Sequence, residues 1–116
     1  MKRISDAAVG VQTGMALMFS AFEDGSEMWT GEGPRVVVQH VSFDERFLQP
    51  PAVHVSISMW DMEGSANQRA DIQAVNVRNE GFDIQFRTWG DTRVARIRAS
   101  WMAVGGVPYH DNWDVA

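Results

Sequence analysis

The chain has 116 residues, with 10 lysine and arginine side chains against 15 aspartate and glutamate side chains, which gives a formal net charge of −5. This length provides one hydrophobic core, and the acidic balance argues against nonspecific binding to nucleic acid or to an anionic membrane. Cysteine is absent, so disulfide bonds, thiolate metal sites and cysteine nucleophiles are excluded.

The N-terminal segment lacks the apolar core of a secretory signal. Lys2 and Arg3 give a basic start, but the apolar run from Gly14 to Phe19 is shorter than the roughly 7 to 15 residues that such a core requires. No apolar stretch reaches the roughly 20 residues of a transmembrane helix. We therefore expect no membrane insertion, and a chain that is cytoplasmic or leaves the cell by a non-classical route.

Alternating apolar residues, which are typical of β-strands, recur along the chain. The alternation is clearest over residues 53–59, 70–74, 82–86 and 97–103 and weaker over 37–43. A further strand is plausible over 9–19, although its methionine-rich part is also compatible with a helical turn. Groups of turn-forming residues separate these runs, and Asn79-Glu80-Gly81 predicts a short hairpin with Gly81 at a positive φ.

Short strands with one apolar face can bury those faces by packing as two sheets. The sequence therefore predicts an all-β fold, a six-stranded antiparallel β-sandwich, over residues 1–104. The alternation stops at Gly105-Gly106, so residues 105–116 are predicted to be a C-terminal tail. This tail, which carries Tyr109, His110 and Trp113, is either a surface-packed terminus or an arm that contacts a neighbouring protomer.

No catalytic or metal-binding motif is recognisable. The three histidines lie in separate segments without metal-ligand spacing, and Asp61, Glu63 and Asp71 do not have the spacing of a calcium loop. Phosphate-binding glycine loops and nucleophile elbows are absent. We expect a protein that is not an enzyme and that needs no cofactor or metal. Spare carboxylates leave glycoside hydrolysis as the weakest alternative.

A row of arginines marks the last predicted strand. Arg96 and Arg98 share one side of it, and Arg93 lies just before them. Such a row is either a solvated sheet face or part of a protomer interface in which arginine pairs with carboxylates such as Asp71 or Asp83. The alternation is compatible with both interpretations.

The segment Trp89-Gly90-Asp91-Thr92 follows the fifth predicted strand. An indole beside a carboxylate can offer an apolar surface to the C–H face of a sugar ring, while the carboxylate binds the hydroxyl groups. A tryptophan at a strand end can equally close the end of the core. The residues alone leave both roles open.

An ordered series of residues extends through most of the chain: Val11-Gln12-Thr13-Gly14, Phe43, Phe47, Pro50-Pro51, 53–58, Asp61, Asn67, Arg69, Ala74, Asn76-Val77, Gly81-Phe82, Thr88-Trp89, Asp91-Thr92 and Trp101-Met102-Ala103. Over residues 10–104 this series resembles the H-type lectin domain family. The resemblance implies a six-stranded β-sandwich that assembles as a homotrimer, or as a hexamer. It also implies binding of N-acetylgalactosamine or related glycans without a metal ion.

The resemblance further implies a binding site between neighbouring protomers. In the family, this site combines an acidic residue before the second strand, an arginine that opens the fourth strand and a tryptophan at the end of the fifth. The matching residues here are Glu32, Arg69 and Trp89, and Gly31 beside Glu32 would supply backbone groups.

The chain departs from this pattern after the tryptophan. Gly90 stands where the snail agglutinin of the family has histidine, and Asp91 can partly replace the missing contact. The prediction is a multivalent carbohydrate-binding domain with Glu32, Arg69, Trp89, Gly90, Asp91 and Gly31 in its site. The alternative is a structural or adhesive trimeric module of a larger assembly, such as a spike or appendage, that has lost sugar binding.

Overall fold

The computed structural model describes residues 1–20 and 27–109. In chain order its elements are β1 (Ala8–Ser20), the one-turn helix α1 (Glu27–Thr30), β2 (Arg35–Ser42), β3 (Ala52–Met62), β4 (Asp71–Val75), β5 (Gly81–Thr88) and β6 (Val94–Val107). Within these residues the strands form two antiparallel sheets of three strands. Sheet A has the order β1-β6-β3, and sheet B has the order β2-β5-β4. The predicted six-stranded sandwich is confirmed.

The inward residues of the two sheets form the core, as the alternation predicts. The central strands β5 and β6 supply side chains with no exposed surface, including Phe82, Phe86 and Ile97. The ring of Trp101 lies 5.3 Å from that of Phe82 in a nearly perpendicular arrangement. Burial of these side chains is the main source of stability, since each contributes roughly 1.5 to 3 kcal/mol relative to exposure.

A side-chain hydrogen bond joins the two sheets at their edges. Gln39 interrupts the apolar alternation of β2, and its amide Nε2 donates a 3.0 Å hydrogen bond to the main-chain carbonyl of Met18 in β1. The polar residue in an otherwise apolar series therefore has a structural role.

The connection between β4 and β5 differs from the predicted hairpin. Asn76, with a φ of 52°, occupies the left-handed region, and Gly81 does not. The prediction of a positive φ at Gly81 was wrong because asparagine also tolerates this region. Gly81 is needed for a different reason, since a Cβ atom at this position would clash with the carbonyl oxygen of Val41 in β2.

Strand β6 continues three residues past the predicted end of the alternation. Gly105 and Gly106 pair with Gly10 and Val9 of β1, because main-chain hydrogen bonds do not require alternating side chains. His110 and Trp113 lie outside the described residues, so the role of the tail and the division at residue 104 stay predictions.

Helical structure is limited to one short segment in the described ranges. The methionine-rich part of β1 is extended, so its helical alternative is wrong. The single-turn helix α1 precedes β2. Nothing helical in these ranges has the length and apolar character to cross a bilayer.

Candidate functional site

Three segments that carry the predicted site residues meet at one end of the sandwich. They are the loop before β2 (31–34), the loop before β4 (63–70) and the turn between β5 and β6 (89–93), and together they are called the site end. The main-chain N–H of Gly33 donates a 2.9 Å hydrogen bond to the carbonyl of Gly90. One chain therefore brings the Glu32 loop, the Arg69 loop and the Trp89 turn together.

Arg69 and Asp91 form an ion pair in this site. Nη1 of Arg69 donates a hydrogen bond to Oδ1 of Asp91 at 2.5 Å, and this bond is the main reason that the pKa of Asp91 lies below its ordinary value of 3.8. The side chains of Arg69 and Asp91 are 33% and 56% exposed, so solvent screens the pair and it stabilises the fold little. Its main consequence is the orientation of the guanidinium.

Two buried threonines fix the main chain of Arg69. The hydroxyl of Thr88 donates to the carbonyl oxygen of Arg69 at 2.6 Å. The hydroxyl of Thr92 accepts the N–H of Arg69 at 3.1 Å and donates to the carbonyl of Asn67 at 2.5 Å. Because both polar groups of the Arg69 main chain are bonded to buried side chains, the arginine is held in place before any ligand arrives.

Trp89 follows β5 directly and is 43% exposed. The indole is therefore not sealed within the core, and part of its apolar surface faces solvent. An exposed ring in the same site as an oriented guanidinium combines an apolar platform with hydrogen-bond donors, which is the chemistry that a sugar ring requires.

Gly90 permits the close approach between the turn and Arg69. Its φ is +68°, and a Cβ atom at this position would lie 3.0 Å from Nη1 of Arg69. A larger residue would strain the backbone and displace the guanidinium. Glycine at position 90, which departs from the pattern implied by the family resemblance, therefore has a structural reason in this chain.

Glu32 is exposed and has no ion pair with any other residue in 1–20 or 27–109. Its loop is nonetheless fixed, since the N–H of Gly31 bonds to the carbonyl of Glu27 at 2.8 Å and that of Gly33 bonds to Gly90. No hydrogen bond or ion pair joins Glu32 to Arg69 within that same part of the chain. The structure thus places the Glu32 loop in the site end with its carboxylate open to solvent.

Arg35 organises this loop, and the sequence analysis missed it. The side chain is buried, and it donates hydrogen bonds to the carbonyl oxygens of Gly33 (2.9 Å), Glu27 (3.2 Å), Met28 (3.3 Å) and Gly90 (3.2 Å). It therefore connects α1, the Glu32 loop and the Trp89 turn. The sequence does place Arg35 two residues before Val37, on the face of β2 that points into the core, and an arginine at such a position indicates a buried, hydrogen-bonded side chain.

The other candidate residues form separate contacts. Each member of the loose acidic group is bonded to a different neighbour: Asp61 to Arg96 at 3.0 Å, Glu63 to the hydroxyl of Ser65 at 2.7 Å, and Asp71 to Arg87 at 2.7 Å and to the amide of Gln73 at 3.4 Å. Arg98 donates to the hydroxyl of Ser58, and His40 bonds to Asp83. Among the described residues, no three His, Cys, Asp or Glu side chains are placed to hold a metal ion.

Comparison with known proteins identifies the family of this chain. The sequence model of the H-type lectin domain matches residues 38–104, which is more than half of the chain. The chain belongs to the H-type lectin domain family. The structure of wild-type discoidin II from Dictyostelium discoideum has a similar fold, with a TM-score of 0.75 and 25% sequence identity over 90% of this chain and 40% of that chain.

Sequence relatives extend this assignment. A protein described as ATP synthase subunits region ORF 7, from Fuscovulum blasticum, is 50% identical over 109 residues, which are 94% of this chain and 95% of the relative. Its description names no activity. Discoidin-2 from Dictyostelium discoideum is 33% identical over 76 residues, which are 65% of this chain and 30% of the relative. This H-type lectin domain therefore matches about a third of the length of that discoidin.

Proposed function

We propose that this protein binds glycans of the N-acetylgalactosamine or galactose type at the site end and catalyses no reaction on them. The observation that carries the proposal is the geometry of Arg69. Its main chain is fixed by two buried threonines and its guanidinium is oriented by Asp91, in the same site as the exposed indole of Trp89.

Each of these groups has a defined role toward a sugar. The indole of Trp89 contacts the apolar C–H face of the ring, while the N–H groups of Arg69 that Asp91 does not occupy donate to neighbouring hydroxyls. The carboxylates of Glu32 and Asp91 accept hydrogen bonds from the hydroxyl groups. Because Arg69 is already ordered, binding requires little additional loss of conformational entropy there.

Calorimetric titration with methyl α-N-acetylgalactosaminide and methyl β-galactoside tests this proposal. Arg69→Ala removes a hydrogen-bond donor and is expected to lower affinity at least about tenfold, since charge-assisted hydrogen bonds contribute roughly 1.5 to 3 kcal/mol. Trp89→Ala removes the apolar platform for the sugar ring, and we expect a loss of affinity of similar size. The proposal is wrong if no sugar of this type binds or if both variants bind as well as the unmodified protein.

The chain offers matched controls for both variants. Trp60 is 60% exposed and lies on β3, outside the three segments of the site end. Arg96 forms a 3.0 Å ion pair with Asp61 whose two side chains are about half exposed, which resembles the Arg69–Asp91 pair. Trp60→Ala and Arg96→Ala should leave sugar affinity unchanged, which separates loss of the site from a general effect of removing an indole or an arginine.

Trimeric assembly is part of the proposal. Alternate residues along β1 are apolar and exposed on the outer face of sheet A: Val9 (61%), Val11 (58%), Met15 (70%) and Leu17 (57%). Contiguous exposed apolar side chains are typical of contact surfaces, and closed rotational symmetry is the usual arrangement of identical protomers. Three sites on one trimer would strengthen weak sugar binding by about 10² to 10⁴ through avidity. The family resemblance supports a site at a protomer boundary.

A structural or adhesive module is the second candidate. The observation that favours it is the Arg69–Asp91 bond, which satisfies the guanidinium in part without a sugar. A protein partner whose affinity survives Trp89→Ala but is lost when residues 108–116, which follow β6, are deleted would support this candidate. The same partner losing affinity in Trp89→Ala would contradict it.

A further inference from the structure

A groove on the outer face of sheet B adjoins the site end. It has a volume of about 540 Å³, and Pro34, Val36, Gln85, Arg87 and Trp89 are among its lining residues. Neither Arg69 nor Asp91 lines it, so the groove is a separate space that shares Pro34 and Trp89 with the site end. Its volume falls within the roughly 300 to 1,000 Å³ that is usual for small-molecule sites.

The groove has an ordered polar floor. Arg87 of β5 lies directly opposite Val36 of β2 on one side and Asp71 of β4 on the other. Nε and Nη2 of Arg87 both donate to Oδ2 of Asp71, at 3.1 and 2.7 Å. These bonds fix the guanidinium and balance its charge, and they leave its Nη1 without a partner in the described part of the chain. The floor therefore carries an oriented, charge-balanced guanidinium that can still donate hydrogen bonds.

Apolar and polar groups alternate across this floor. Val36 is 54% exposed and continues the apolar surface of Trp89, which is 43% exposed. Next to them, the Gln85 amide forms no hydrogen bond with any other described residue, so it can both donate and accept. An uncharged sugar is recognised by apolar patches, which contact its C–H faces, and by neutral hydrogen-bonding groups beside them, which bind its hydroxyls. An anionic ligand is not favoured, because Asp71 already neutralises Arg87.

We infer that this groove is a second sugar subsite, so that the ligand is at least a disaccharide. The first sugar lies at Arg69, the indole of Trp89 separates the two subsites, and the linked sugar rests on Val36 with its hydroxyls on Gln85 and Arg87. This inference depends on the proposed function, since the groove acts on a ligand that Arg69 and Trp89 already hold.

Calorimetric titration separates the two subsites. The probes are methyl α-N-acetylgalactosaminide, methyl β-galactoside and a panel of neutral disaccharides that carry the same sugars at the non-reducing end. We expect the best disaccharide to bind about fivefold or more tightly than its parent monosaccharide, which corresponds to roughly one additional hydrogen bond. Gln85→Ala and Val36→Ser should reduce this ratio to near one while monosaccharide affinity stays within about twofold. Gln49→Ala is the matched control, because Gln49 is exposed in the loop before β3 and does not line the groove.

The outcomes distinguish the two proposals. A monosaccharide that binds, together with disaccharides that bind no more tightly, overturns the second subsite and leaves the proposed function intact. The second-subsite proposal is also wrong if both groove variants, Gln85→Ala and Val36→Ser, still bind the disaccharide more tightly than the monosaccharide by the same ratio as the unmodified protein. Failure of every sugar to bind overturns the proposed function and the subsite together.

Discussion

The site end and the outer face of sheet A present opposite surface chemistries. At the site end, irregular loops are fixed by hydrogen bonds from buried polar side chains, and the exposed groups are an indole, a guanidinium and carboxylates. On sheet A, a regular strand exposes a row of apolar residues from Val9 to Leu17, interrupted only by Thr13. The core requires neither surface. The proposal assigns ligand recognition to the site end and association with other copies to the outer face of sheet A.

The largest expected effect comes from disrupting the apolar face. Val11→Asp combined with Met15→Asp should convert the proposed trimer to monomers, because six carboxylates would have to be buried at the contact. Light scattering would show the lower mass, and binding to a dense glycan surface should fall by about 10² to 10⁴ as avidity is lost.

A similarly exposed valine on the other sheet provides the control. Val38 is 52% exposed on β2, so Val38→Asp should leave the mass unchanged. A monomeric unmodified protein, or a double variant of unchanged mass, would contradict the assignment of this face to association.

Removal of a buried hydroxyl group that holds the main chain of the site end should destabilise the fold. Thr92→Val would leave the N–H of Arg69 and the carbonyl of Asn67 unpaired, so the free energy of unfolding should fall by about 1 to 3 kcal/mol. Urea denaturation measures this loss. The same substitution at the exposed Thr13 of β1 should change stability by less than about 0.5 kcal/mol. Equal losses would show that the hydroxyl of Thr92 has no special role.

Alanine substitutions at two glycines with a positive φ can separate the effect of backbone strain from the effect on sugar binding. Gly90 and Gly33 both have a positive φ, but only the Gly90 position abuts Arg69. Alanine at either position should cost about 1 to 2 kcal/mol of stability through left-handed strain. Sugar affinity should fall about tenfold more in Gly90→Ala than in Gly33→Ala, which corresponds to about 1.4 kcal/mol. Titration calorimetry on both variants checks this, and equal affinities would rule out the orientation of Arg69 as the important factor.

The smallest expected effect is on the titration of Asp91. The Arg69 hydrogen bond lowers the pKa of Asp91, so the pair stabilises the folded state above the ordinary pKa of about 3.8 and this contribution is lost as pH falls through the lowered value. A carbon NMR titration of the carboxyl group should give a midpoint below 3.8 that rises in Arg69→Ala. An unchanged midpoint in that variant would show that the pair does not form in solution.

Much of the fold could be predicted from the sequence, because each strand buries one face and exposes the other. The same physical rule did not determine the β4–β5 turn, since Asn76 and Gly81 can both adopt a positive φ. It also gave no indication of the one-turn helix α1, which is too short to produce a helical period.

The site was less predictable than the strands. Trp89 was a candidate from its position after the fifth predicted strand, whereas Arg69 came only from the family resemblance, and the structure shows both in the same end of the fold. The side chains of Arg35, Thr88 and Thr92 hold these residues by bonding to main-chain atoms far away in the sequence. Thr88 bonds to Arg69, 19 residues away, and Arg35 bonds to Gly90, 55 residues away. Periodicity contains no information about such pairings, because they depend on how the loops pack after the sheets have formed.

The central claim is that Arg69 and Trp89 contact one sugar together. Its most direct test is a ¹⁵N NMR titration with methyl α-N-acetylgalactosaminide that follows the indole Nε1 and arginine Nε signals. The Trp89 and Arg69 signals should shift together and saturate at one affinity, while the Trp60 and Arg96 signals should stay in place. Unchanged Trp89 and Arg69 signals under conditions where this sugar binds elsewhere on the protein would contradict it.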